Sequence, residues 1–182
     1  MLVARAAAAV APIEQMALYE PPFLVDDSRP PIAGDFLPRL EALLADGRRS
    51  EAMRQAFAEG MGMPRVAVAV MRRLPVWRRL ERVANTMPYD WTLLANDHHG
   101  RPLRAREWTS ATAPGIVFSG SKSPAQLRSA ARALAEVLPR AEHREVAGQG
   151  HNPSNKVLAA AVAESFAPAA RPVRFGAAVR VA

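Results

Sequence analysis

The chain has 182 residues, of which 49% are hydrophobic and 23% charged, a balance that excludes general disorder and predicts one packed unit. No apolar run is long enough for a membrane-spanning helix. With no Cys there are no disulfides, thiolate nucleophiles or Cys-bound zinc, which fits a reducing, cytoplasmic setting. The net charge of +7 raises the question of a polyanion partner, but all but two of the 24 basic residues are Arg, and these are spread along the chain. This skew, with heavy Ala use, reads as coding bias in a GC-rich genome. The densest cluster, Arg72, Arg73, Arg78, Arg79 and Arg82, reads as a solvated helix face, so no nucleic-acid partner is expected.

The opening MLVARAAAAVAP superficially resembles a signal peptide, but its apolar run is short and leads directly into a strand-like segment. Residues 2–11 are therefore read as a helix of the fold, without a capping residue ahead of them. Residues 13–19 (IEQMALY) predict a short, mostly buried strand that Pro21 and Pro22 stop. Residues 23–31 are expected to form a loop rich in Pro and Asp.

From Asp35 to about Asp97 the pattern is helical. Phe36, Leu37, Leu40, Leu43 and Leu44 share one face of a first helix, which Gly47 ends. Ser50 is expected to cap a second helix over 51–60 that carries Met53, Ala56 and Phe57 inward. Pro64, Pro75 and Pro88 open three more, with Trp77, Leu80, Val83 or Ala84, Trp91, Leu94 and Ala95 facing inward. Residues 97–100 (DHHG) form the exit turn. His98 and His99 diverge as neighbours must, so no metal site is expected, and no motif calls for a cofactor.

The pattern then changes. Residues 115–119 (GIVFS) predict a buried parallel strand, 125–138 an amphipathic helix, 143–147 (HREVA) a third strand and 156–166 a last helix. Residues 167–182 read as a loose tail. Strand–helix–strand with a helix of this length argues for right-handed crossovers in a parallel sheet. The fold class is thus α/β, with about three parallel strands, flanking helices and an inserted helical block. The division expected is core over 1–34, helical insert over 35–100, core over 101–166 and tail over 167–182.

Leu18-Tyr19-Glu20-Pro21-Pro22-Phe23, the helical block, Gly115 to Pro124, and Glu145 to His151 follow in an order that resembles part of an α/β-hydrolase fold. The chain is similar in particular to small bacterial hydrolases whose sixth strand ends in Tyr-Glu-Pro-Pro. The resemblance covers roughly residues 2–166 and implies that 35–97 is a lid and that the seventh and eighth strands follow it. It implies hydrolysis of an ester or other acyl bond in a small molecule, with His151 as the base of a catalytic triad. The acid often follows the seventh strand in a Gly-x-x-Asp-Pro pattern, but this chain has Ser123 there. Haloalkane dehalogenases place it after the sixth strand, which points to Glu20, with Asp26 and Asp27 as alternatives. The Gly-x-Ser-x-Gly elbow that carries the nucleophile is not in this sequence. The expectation is a chain that begins past that serine, is inactive alone, and self-associates through an exposed sheet edge. Ser119-Gly120-Ser121-Lys122 spells Ser-x-x-Lys, but a strand context spoils the β-lactamase geometry. Trp77, Trp91, Met61, Met63 and Met71 read as lid core. The rival readings are a non-catalytic helical interaction protein and an Arg-rich nucleic-acid binder.

Overall fold

Three short strands carry the architecture of the computed structural model, which describes residues 2–9, 11–94 and 99–166. They are β1 (Met16–Tyr19), β2 (Gly115–Gly120) and β3 (Ala141–Val146), paired in parallel in the order β1-β2-β3. Leu18 lies opposite Val117, and Val117 opposite His143. Strand side chains alternate between faces, so Met16, Leu18, Val117, Ser119 and His143 share one face. That face packs under α1 (Leu2–Ala8) and α7 (Ala125–Val137), whose Ala4, Ala7, Ala130, Ala131 and Leu134 join Met16, Leu18 and Val117 in the main core. The small Ala residues let α7 approach closely, as its sequence periodicity predicts. On the opposite face Arg144 pairs with Glu164 of α8 (Asn155–Phe166), a helix with no buried residue.

Between β1 and β2 lies the helical block. It comprises α2 (Phe36–Ala45), α3 (Arg49–Gln55), a π-helical turn (Ala56–Gly60), α4 (Arg65–Met71), α5 (Pro75–Val83) and α6 (Met87–Leu94). Phe36, Leu40, Ala52, Ala56, Trp91 and Leu94 join the main core, and Phe36 and Trp91 meet edge to face at 4.9 Å. Met53, Val68, Trp77 and Ala84 form a second, smaller core. Ala84, not Val83, is therefore the inward residue of α5's end. Gly47 follows α2 with φ 71°, the left-handed conformation that its helix-ending role requires.

Several local expectations change. The first helix stops at Ala8, and β1 starts at Met16 rather than at residue 13. Ser50 is not a cap: α3 begins at Arg49, and the Ser50 hydroxyl instead accepts a hydrogen bond from the Trp77 indole at 2.8 Å. The second helix finishes as a π turn, and its last residue, Gly60, packs so closely on Trp91 that a Cβ there would lie 2.4 Å from the indole ring. Phe23, Leu24 and Val25 lie in a loop but are buried. Arg29 fastens that loop to the π turn, donating to the Gly60 carbonyl at 2.9 Å. Met61 is exposed, whereas Met63 and Met71 pack on the second core. Trp108, absent from the sequence-based core, is fully buried against Phe23, with the Arg5 guanidinium over its ring.

Candidate functional site

All three strands run the same way, so their carboxyl ends meet at one edge of the sheet, where ligands of open α/β sheets bind. β1 ends there in Tyr19 and Glu20. Glu20 has φ 45°, the one positive φ of a non-glycine residue among those described. Such a conformation costs roughly 1–2 kcal/mol and persists only where its surroundings hold it. Three contacts do so. The Glu20 amide donates to the Phe118 carbonyl at 2.9 Å. The Gly120 amide donates to Glu20 Oε1 at 2.8 Å. Glu20 Oε2 lies 2.8 Å from His151 Nδ1.

The carboxylate is fully buried, whereas the His151 side chain is 59% exposed. One oxygen is committed to a main-chain amide, so the other is free to fix the imidazole. A neutral His151 that donates from Nδ1 leaves the Nε2 lone pair available as a base. The structure brings Glu20 and His151 together from positions 131 residues apart in sequence.

The other candidates are elsewhere. Asp26 Oδ1 accepts the Ser28 amide at 3.1 Å in a local turn, and the Ser28 side chain, helped by that amide, holds its carboxyl below the ordinary range. Asp27 is exposed with no polar partner among the described residues. Ser123 is buried beside Tyr19 and Gly120 and offers no carboxylate. His99 is exposed and His98 lies outside the described residues. No cluster of three or more His, Cys, Asp or Glu that could hold a metal occurs among the described residues.

The Ser119–Lys122 segment instead holds the His151 loop. The Gly148 amide donates to Ser121 Oγ at 2.8 Å, and the Lys122 amide donates to the Gln149 carbonyl at 2.8 Å. Gly120 is needed for this approach, because a Cβ there would lie 2.4 Å from the Gln149 oxygen. Ser119 is buried and shares a hydrogen bond of 2.9 Å with His143 Nε2, a pair under α7 that sequence reasoning missed. The signal was the register: Val117 lies opposite His143, so Ser119 and His143 sit diagonally on one face. Among the described residues, no serine shares a hydrogen bond with His151.

No family model and no curated protein matches the sequence. Solved structures do. An α/β hydrolase from Sphaerobacter thermophilus DSM 20745 is 38% identical and superposes with a TM-score of 0.79 over 91% of this chain and 63% of that one. BpoC from Mycobacterium tuberculosis H37Rv is 15% identical with a TM-score of 0.47, covering 90% of this chain and 63% of that one. NosK from Streptomyces actuosus is 22% identical with a TM-score of 0.45, covering 91% of this chain and 63% of that one. The last two carry no weight in the argument. The chain spans 63% of the length of each of these proteins. The parallel three-stranded sheet with its flanking helices, together with the similarity to the Sphaerobacter enzyme, shows that the chain carries part of the α/β-hydrolase fold.

Proposed function

We propose that this chain supplies the base, His151, and its orienting carboxylate, Glu20, to a hydrolase that cleaves esters or related acyl bonds in small molecules. The observation that carries the reading is the 2.8 Å contact between Glu20 Oε2 and His151 Nδ1, with the second carboxylate oxygen held by the Gly120 amide. In this mechanism a serine hydroxyl outside the present sequence gives its proton to His151 Nε2 as its oxygen attacks the acyl carbonyl. The buried Glu20 carboxylate stabilises the imidazolium, which then protonates the leaving alkoxide. Water, deprotonated by the same imidazole, releases the acid from the acyl-enzyme and restores the serine.

The serine enters on polypeptide that covers the outer edge of β1 and the bare face of α8. β1 is an edge strand, and parallel sheets are ordinarily covered on both faces. α8 is rich in apolar residues yet buries none. The alternative occupant of that surface is a second copy of the chain. The helical block over 35–100 serves as the lid, and the reaction is placed in the cytoplasm.

The test is hydrolysis of p-nitrophenyl acetate with fluorophosphonate labelling. The chain alone is expected to show no turnover above background and no labelled Ser. A chimera in which residues 2–166 replace the matching part of the Sphaerobacter enzyme is expected to turn over, and to lose activity with His151→Ala. Turnover by the chain alone with a labelled Ser, or a chimera indifferent to His151→Ala, contradicts the reading.

A further inference from the structure

Tyr19 and Glu20 are neighbours at the end of a strand, where adjacent side chains normally point to opposite faces. The left-handed backbone of Glu20 breaks that alternation and brings both side chains to the same loop. The Tyr19 hydroxyl donates to the Gly150 carbonyl, one residue before His151. Four successive loop residues are thus held: Gly148 by Ser121, Gln149 by Lys122, Gly150 by Tyr19 and His151 by Glu20.

Tyr19 differs from the other holds. The Ser121 and Lys122 contacts hold Gly148 and Gln149, three and two residues before His151. The Tyr19 contact is made at the peptide unit that joins Gly150 to His151, so it fixes the direction from which the imidazole leaves the main chain. A Cβ added at Gly150 would meet nothing within 4 Å, so no neighbour braces the loop on that side. Burial, reinforced by the Glu20 carboxylate, raises the phenol above its ordinary 10.0, and a protonated phenol is the state that can donate to a carbonyl.

We propose that Tyr19 is a positioning residue, whose hydrogen bond to Gly150 fixes the His151 imidazole against Glu20. The consequence for catalysis rests on the function proposed above, but the placement itself does not.

The test is therefore spectroscopic and uses the chain as it is. With 15N-labelled histidine, wild-type protein is expected to show one His151 tautomer, protonated at Nδ1, which reports on the Glu20 pairing alone. Tyr19→Phe keeps the ring and removes the donor. It is expected to speed exchange of the Nδ1 proton and of the Gly148 amide about five- to tenfold, the factor expected from one neutral hydrogen bond. The exposed Tyr89, replaced as Tyr89→Phe, is expected to change neither. Exchange within twofold of wild type in folded Tyr19→Phe overturns the proposal. If that variant does not fold, the wild-type chain still decides the matter: a nuclear Overhauser contact between the Tyr19 ring and the Gly150 α-protons supports the proposal, and its absence overturns it.

Discussion

Gly120→Ala places a methyl group where the His151 loop crosses the end of β2. The new Cβ would lie 2.4 Å from the Gln149 carbonyl oxygen and 2.8 Å from Ser123 Oγ. The first neighbour is main chain and cannot rotate away, so the loop must move. Moving it stretches the bond from the Lys122 amide to Gln149 and disturbs the Gly120 amide that holds Glu20. Overpacking of this kind costs about 1–3 kcal/mol, and a lost hydrogen bond adds about 1 kcal/mol, for about 2–4 kcal/mol together. For a chain of this size that lowers Tm by about 5–15 °C. Gly150→Ala is the control, because a Cβ added there would meet nothing within 4 Å; its effect is expected to stay near ~0.5 kcal/mol. Thermal unfolding of the two variants side by side is the assay. A Gly120→Ala protein no less stable than Gly150→Ala refutes the steric argument.

Trp77→Phe removes an indole that donates to Ser50 Oγ at 2.8 Å and to Glu81 Oε1 at 2.9 Å within the second core. A loss of about 1–3 kcal/mol is expected in urea unfolding, and an unchanged midpoint argues against that core. Gly60→Ala drives a Cβ into the Trp91 ring and is expected to destabilise by about 1–3 kcal/mol with a change in tryptophan fluorescence; a native-like spectrum and midpoint contradict the packing described. Burial, with help from Arg132, holds the His143 imidazole below its ordinary 6.5. The unfolded chain therefore takes up the proton first as pH falls, so this residue's contribution is complete above 6.5 and is lost as pH drops from there through the lowered folded value. His143→Gln is expected to flatten the stability–pH curve below pH 6.5; an unchanged slope rules this assignment out.

The central strand, the crossover helix and the helical block were legible because each carries a strong local signal, whereas the polar third strand was expected over 143–147 and runs over Ala141–Val146. GIVFS has no polar interruption before its end, α7 repeats small apolar residues at helical spacing, and three Pro residues mark helix starts. The pairing of Glu20 with His151 was legible through the order of motifs, not through local pattern. What stayed hidden depends on tertiary contact. Phe23, Leu24 and Val25 read as loop because Pro and Asp surround them, but their side chains have a core to enter. Ser50 has the composition of a cap, yet an indole from α5 competes for its hydroxyl. Trp108 stands in a polar stretch with no periodicity, so only the folded chain reveals its burial. Tyr19 was read as part of a motif, and nothing in the sequence indicates that Glu20 leaves strand geometry and turns both side chains onto one loop.

The pairing of a buried carboxylate with an exposed imidazole is tested most directly by the nitrogen chemical shifts of His151 in wild-type and Glu20→Gln protein. One fixed donor, the Gly120 amide, and the His151 imidazole, whose Nδ1 can donate or accept according to its tautomer, converge on the two oxygens of Glu20. Glutamine has one oxygen. The Gly120 amide cannot become an acceptor, so the new amide turns its oxygen to Gly120 and its NH2 to His151, which must then accept at Nδ1 and carry its proton on Nε2. The account predicts an Nδ1–H imidazole in wild type and an Nε2–H imidazole in Glu20→Gln. The same tautomer in both proteins, or an Nε2–H imidazole in wild type, would contradict it.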